Sequence, residues 1–352
     1  MLKLDLPIFC PDATRAAVKS VDSRDLQEAG VLGVIVNTFH LSNHPGLEVV
    51  KTLGGVKKMM GFDGLVISDS GGFQVMSLIH QQNIKGDISD KGITFVKKSG
   101  KRVEFTPEKS IQMQFAIGSD VMVALDDCPM MEASEEEVAR SVDRTIAWAK
   151  RCKEEFDMQL ASHLGGVPAG HRPRRNAAPL LFGVIQGGNS KKERERCAKA
   201  LVEIGFDGYG FGGWPMKTNG ELNSDILKFT ADLMPDDKPK YALGLGNPEA
   251  MVECFGYGYN IFDCVLPTRD ARHKRLYLFN TGKGRFYKTV RADDEKFTRD
   301  GRPIEEGCKC FTCQKYSRAY IKHLFDVGDR TAERLATIHN LHFYQQVIGK
   351  LK

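Results

Sequence analysis

The sequence predicts an α/β fold in which a parallel sheet closes into a (β/α)8 TIM barrel. Two observations carry this. Seven short apolar or β-branched runs (32–38, 64–70, 120–127, 181–187, 208–213, 241–246 and 261–268) end in polar residues or glycine. Continuous runs of this length fit strands buried on both faces. Helical stretches separate most of them, as in successive βα units. An open doubly wound sheet competes with a barrel. A weaker eighth run, 275–280, tips the balance towards closure. The ~250-residue norm of such barrels fits within the chain up to residue 280, with insertions.

The connections support this order. Ser134-Glu135-Glu136-Glu137 is a capping box, followed by Val138, Val142, Ile146 and Ala149 at helical spacing. Pro107 opens a helix over 107–117 from the first helical position. Further helices are predicted over 191–203, 224–233 and 332–347. An insertion near 92–106 reads as a β-hairpin, with 93–96 and 101–105 flanking Lys97-Lys98-Ser99-Gly100. A second insertion, 168–179, carries Arg172, Arg174 and Arg175 and reads as a basic surface loop.

The 352 residues suffice for about two domains at roughly 150 residues each. A hydrophobic fraction of 41% with 27% charged residues argues against wholesale disorder. No apolar run reaches the ~18 residues of a membrane helix, and the first residues lack a signal-type apolar stretch. A cytoplasmic protein without a membrane partner is expected. The net charge of +5 is unevenly spread: from residue 268 onward there are 19 Lys and Arg against 10 Asp and Glu. That third suits a polyanionic partner, and equally a solvated surface.

Of nine cysteines, Cys10, Cys128, Cys152, Cys197, Cys254 and Cys264 are scattered, whereas Cys308, Cys310 and Cys313 crowd together. With His339 on a predicted helix they make a tetrahedral set of three thiolates and an imidazole, suited to one structural Zn2+. His342 is the alternative fourth ligand. The chain thus divides into a barrel core, 1–280, and a zinc-binding subdomain with C-terminal helices packing on the barrel, 281–352.

Barrel chemistry sits at the C-terminal ends of strands. Three runs carry aspartates there: Asp69, the pair Asp126 and Asp127, and Asp263. Gln186 occupies the same point of another run, and Gly212-Gly213 and Gly244 bare the backbone at two more. Carboxylates converging with amide groups suit the donor–acceptor edge of a purine-like base, which glycines allow to approach closely. Two separated carboxylates also suit substitution at an anomeric carbon. Any one of these aspartates alone would equally serve as a turn cap.

Ser68-Asp69-Ser70-Gly71-Gly72-Phe73-Gln74-Val75 and Phe262-Asp263-Cys264-Val265-Leu266-Pro267-Thr268-Arg269 resemble the signatures of bacterial-type tRNA-guanine transglycosylases, the queuine tRNA-ribosyltransferase family. The Cys-x-Cys-x2-Cys-x25-His spacing, Asn37-Thr38-Phe39-His40-Leu41, Gln186-Gly187, Gly212-Gly213 and His339-Asn340-Leu341-His342-Phe343 extend the resemblance in order across nearly the whole chain. It implies a pentosyltransferase of queuosine biosynthesis. Such an enzyme exchanges the wobble guanine of G-U-N anticodon tRNAs for a free 7-deazaguanine base, by default 7-aminomethyl-7-deazaguanine. On this reading Asp263 is the nucleophile at the ribose anomeric carbon and Asp69 the general acid/base.

The resemblance places base recognition on Asp126, Gln186 and Gly213, with Ser70, Gly71, Gly72 and Phe73 lining the pocket. Tyr241 or Phe73 could stack on the base, and either could equally belong to the core. RNA contact maps onto Gly244, Leu245, Gly246, Asn247, Pro248, Glu249 and Ala250, and onto Thr268, Arg269, Asp270, Ala271 and Arg272. A homodimer is implied, with the zinc region at the interface. One departure falls after Gly213, where Trp214-Pro215-Met216-Lys217 replaces the usual Leu-Ala-Val-Gly. That segment faces the substituent of the incoming base, so queuine and the nitrile precursor stay open. Rival readings are a base exchanger on DNA or another tRNA position, a non-catalytic RNA-binding subunit, and a metal hydrolase using His40 and His44. Retention of both Asp69 and Asp263 argues against the second.

Overall fold

The structure, a computed structural model, describes residues 4–81, 85–96, 100, 102–165, 178–280 and 282–352. In chain order its strands are β1 (Ile8–Pro11), β2 (Gly33–Asn37), β3 (Leu65–Asp69), β4 (Gly86–Ser89), β5 (Gly92–Val96), β6 (Arg102–Phe105), β7 (Val121–Val123), β8 (Leu180–Ile185), β9 (Gly208–Phe211), β10 (Lys240–Ala242), β11 (Ile261–Cys264), β12 (Arg275–Phe279) and β13 (Tyr287–Arg291). Eight of them form one sheet in the order β1-β11-β10-β9-β8-β7-β3-β2. Each pair of neighbouring strands in that order is parallel, from β1 with β11 to β2 with β3. A parallel bridge between Asp12 and Ile35 joins the two ends, and the Ala13 N–H donates to the Ile35 carbonyl at 2.7 Å. The predicted barrel is therefore present.

One strand differs from the sequence expectation. Residues 275–280 do not complete the barrel: β12 pairs antiparallel with β13 in a separate two-stranded sheet. The eighth barrel strand is β1, Ile-Phe-Cys-Pro, fully buried. Four residues bounded by prolines show too little periodicity to be read as a strand. The run 261–268 is also divided. Its strand ends at Cys264, and Pro267 opens the helix Leu266–Arg272.

Other elements match closely. The helices Pro107–Ile117, Lys191–Ile204 and Ser224–Leu233 occupy the predicted connections. Ser134 and Glu137 form the reciprocal cap of helix Glu135–Gly165, at 2.8 and 3.3 Å. The inserted hairpin is β5–β6, with β4 adding a third antiparallel strand. Its connection at 97–99 and 101 lies outside the described residues, as does most of the basic stretch 168–179.

Inside the barrel, Ile8, Ile35, Ile67, Val123, Phe182, Val184, Tyr241 and Ile261 form one buried cluster. They fill the interior as layered side chains do, so function is confined to the mouth. The C-terminal helix Thr331–Gly349 is fastened to this core. Tyr344 donates its hydroxyl to the Gly246 carbonyl at 2.8 Å, and Arg334 forks onto the buried Asp25 carboxylate. Among the described residues no helix is long and apolar enough to cross a membrane.

Candidate active site and metal centre

Three aspartates meet at the mouth because each follows or ends a parallel strand. Asp69 is the last residue of β3, Asp263 the third of β11, and Asp126 lies just beyond β7. Burial pushes the Asp263 carboxyl up to about 7, with the negative charges of Asp69 and Asp12 adding to the rise. Burial also lifts Asp126 to about 7, reinforced by Asp69 and Asp127. Asp69 is raised as well, by burial, against four donors that favour its ionised form. Mutual repulsion between Asp69 and both other carboxylates marks them as one electrostatic unit.

Asp263 is held asymmetrically. The Tyr241 hydroxyl and the Gly244 N–H both donate to Oδ1, each at 2.7 Å. Among the described residues Oδ2 has no hydrogen-bond donor, which leaves that oxygen unengaged. Gly244 sits at φ +68°, where a side chain is strained, and that turn aims its N–H. Tyr241 is fully buried. It donates to Asp263 and has no exposed face for a base, so of its two readings the structure favours the core one over stacking. Phe73, the other aromatic candidate, is 41% exposed and meets Trp214 edge-on at 5.6 Å.

Asp69 receives Asn37 Nδ2 at 3.0 Å and Gln74 Nε2 at 3.1 Å, both on Oδ2. Backbone N–H groups of Ser70 and Gly71 add to this cradle. Gly71 adopts φ +84°, and a Cβ there would lie 2.8 Å from the Phe39 nitrogen. Ser70, Gly71 and Gly72 are buried and shape the turn, so of this group Phe73 alone faces solvent.

Gln186 donates Nε2 to Asp126 Oδ2 at 2.6 Å, while its buried Oε1 has no partner among the described residues. An orphaned buried acceptor beside a carboxylate calls for a ligand N–H. Sequence reasoning missed Arg194, which supports this wall from below. Its guanidinium, lowered to about 10 by burial, donates to the carbonyls of Ile185, Gly188 and Gly212 at 3.1, 2.8 and 3.0 Å. It also lies 4.3 Å from the centre of the Phe211 ring. No short motif betrays it; only a three-dimensional arrangement brings two loop carbonyl sets to one helix position.

The raised pKa values have a stability consequence. A carboxyl whose folded pKa exceeds its unfolded value destabilises the fold above the unfolded pKa, progressively from about pH 4 to about pH 7. Asp126→Asn is therefore expected to raise stability at pH 8 by about 1–3 kcal/mol, with no gain near pH 4. Denaturant melts at the two pH values check this. Equal gains at both would contradict it.

The sequence-assigned RNA segments divide by exposure. Leu245, Gly246, Pro248, Ala250, Thr268, Asp270 and Ala271 are buried and cannot present side chains to RNA. Asp270 accepts the Tyr277 hydroxyl at 2.6 Å. Asn247 caps the helix Pro248–Gly256. Gly244 and Arg269 are exposed, and Glu249 and Arg272 partly so. The buried members thus set the shape of the rim that the exposed ones present.

Cys308, Cys310, Cys313 and His339 place one ligand atom each within 4.8 Å of one another, all buried. His339 Nδ1 lies 3.9, 3.6 and 3.4 Å from the three sulfurs. Its Nε2 lies 2.7 Å from the Tyr277 carbonyl. A proton on Nε2 bonds that carbonyl and leaves Nδ1 bare for a metal ion. The donor set fits a tetrahedral ion, and His342 has no part in it. His40 and His44 belong to no such group among the described residues. Asn340, next to the ligand, accepts from the Tyr277 N–H and donates to the carbonyls of Pro267 and Arg275, at 3.1, 3.1 and 2.9 Å. The Cys3His group is thereby tied to the helix that follows Asp263.

A closed barrel with a carboxylate-lined mouth and a buried Cys3His appendage defines the class. Residues 2–352 match the family described as Queuine tRNA-ribosyltransferase. A queuine tRNA-ribosyltransferase from Staphylococcus aureus strain bovine RF122 / ET3-1 is 39% identical over 349 residues, covering 99% of this chain and 85% of the relative. Those of strains JH9 and N315 match with the same identity and coverage. The chain belongs to this family.

Proposed function

We propose that this chain is a tRNA-guanine transglycosylase that replaces the wobble guanine of G-U-N anticodon tRNAs with a free 7-deazaguanine, 7-aminomethyl-7-deazaguanine first among them. The observation that carries this is Asp263, with two donors on Oδ1 and an open Oδ2, coupled electrostatically to Asp69. Oδ2 attacks the ribose anomeric carbon, forming a C–O bond as the bond to guanine N9 breaks. The electron pair leaves on the base, and protonated Asp69 supplies its proton. The incoming base then gives its N9 proton to Asp69 and attacks the same carbon. The Asp263 ester breaks, and configuration is retained.

The base edge lies along Asp126, the orphaned Gln186 Oε1 and the Gly213 backbone, with the carbonyl-bound Arg194 holding the last two in register. Arg194→Lys keeps the charge and loses the fork, so KM for the base is expected to rise roughly 10-fold or more while tRNA affinity holds. An unchanged KM removes Arg194 from recognition. The Cys3His group holds zinc, structurally, since no ligand position remains open. Work in the cytoplasm as a homodimer completes the proposal, and sedimentation tests the dimer.

The test is incorporation of labelled guanine into G-U-N tRNA beside a tRNA with the wobble guanine replaced. 7-Aminomethyl-7-deazaguanine, its nitrile precursor and queuine compete in parallel. Label lost only with the wobble variant supports the reaction and position, and the strongest competitor identifies the base. Label in DNA, in a D-loop position or nowhere overturns the reading.

A further inference from the structure

We infer that the cleft between the β12–β13 hairpin and the loops after β10 and β11 is a phosphodiester-binding subsite of the RNA, built on Arg275, Arg285 and Lys288. The inference rests on the proposed action on tRNA and narrows the basic stretch from residue 268 onward, where the sequence already put Arg275 on a phosphate track, to one cleft with Arg285 and Lys288. The cleft is a cavity of about 420 Å³. Those three cations line it together with Asn247, Leu266, Asp270 and the two tyrosines of the hairpin.

Two features make it an anion site. First, all three cations are exposed and one carboxylate, Asp270, lines the cleft with them. That carboxylate is already engaged by the Tyr277 hydroxyl, Arg269 and Arg275, the two arginines at 3.6 Å. Second, Arg285 and Lys288 remain available to a ligand. Arg285 meets Glu249 at 3.2 Å with its side chain 74% exposed, a pairing of little strength in water. Lys288 forms no ion pair among the described residues.

Position selects RNA over a free anion. Leu266 and Asp270 of the cleft lie on the helix that begins two residues after Cys264, the end of Asp263's strand. Asn247 lies three residues beyond Gly244, which donates to Asp263. A strand whose ribose meets Asp263 therefore runs its adjoining backbone along this rim. Phosphate contacts position a nucleic acid without reading its bases.

The experiment compares wild-type protein with Lys288→Ala, Arg285→Ala, their double variant, Arg285→Lys and a distant exposed control, Lys199→Ala. Dissociation constants for G-U-N tRNA are measured across a salt series, beside exchange kinetics. The double variant is expected to weaken tRNA binding roughly 10-fold at moderate salt and to flatten the log–log salt slope by about 1 or more. Its kcat at saturating tRNA stays unchanged, Arg285→Lys restores most of the affinity, and Lys199→Ala does neither. Wild-type affinity and slope in the double variant overturn the subsite. So does a loss of stabilisation by inorganic phosphate with tRNA affinity intact, which assigns a free anion. Wild-type protein that binds tRNA without exchanging a base refutes the proposed reaction and leaves the subsite to be judged on slope. Wild-type protein that fails to bind tRNA refutes both.

Discussion

Asp263→Asn is expected to abolish the covalent RNA adduct and to reduce base exchange by about 10⁴-fold or more, as removal of a nucleophile does. The amide keeps an oxygen for the Tyr241 hydroxyl and the Gly244 N–H, so the mouth retains its shape and tRNA still binds. Stability moves the other way. Burial pushes Asp263 up to about 7 in the folded chain, so its cost to folding builds from about pH 4 and is complete above about pH 7, and the neutral amide removes it. The variant should be dead and, at pH 8, more stable by about 1–3 kcal/mol. Activity itself should fall on the acid side of pH 7 as Asp263 takes up its proton. Tyr241→Phe deletes a donor that favours the carboxylate and should move that limb to higher pH. A limb that stays in place would separate Tyr241 from the nucleophile. Exchange at wild-type rate in Asp263→Asn would remove Asp263 from the chemistry altogether.

Metal removal is the second large effect. Chelation or Cys310→Ser is expected to lower Tm by on the order of 5–10 °C, because a closed Cys3His site contributes its binding energy to the folded state alone. The damage should spread along a defined route. His339 holds the Tyr277 carbonyl, Asn340 ties Tyr277, Pro267 and Arg275, and Tyr344 holds Gly246. Amide exchange should therefore quicken first over 266–280, with β2 and β3 unchanged. Calorimetry with and without zinc restored, read beside exchange mass spectrometry, tests both parts. A melt indifferent to metal would contradict a structural ion.

Sequence patterning revealed what repeats and what is chemically rare. Continuous apolar runs gave seven of the barrel strands because parallel strands are buried on both faces. The Cys3His spacing stood out because thiolates seldom cluster by chance. Asp69, Asp126 and Asp263 were legible through their place at strand ends. What escaped notice depends on contacts between distant segments. β1 is four residues, recognisable only by its pairing with β11 and β2. β12 has a strand's composition, and composition cannot tell a barrel stave from a hairpin arm. Tyr241 is an aromatic near a base site by sequence and a buried donor by position. Arg194 acquires its role from carbonyls at the end of β8 and on the loops after β8 and β9, which converge only in the folded barrel.

The most direct test of the account is to trap the protein with G-U-N tRNA, digest both polymers and locate the RNA–peptide bond by mass spectrometry. The bond is expected on Asp263, with the ribose of the wobble nucleotide attached. A bond to Asp69 or Asp126, or to a different nucleotide, would contradict the account.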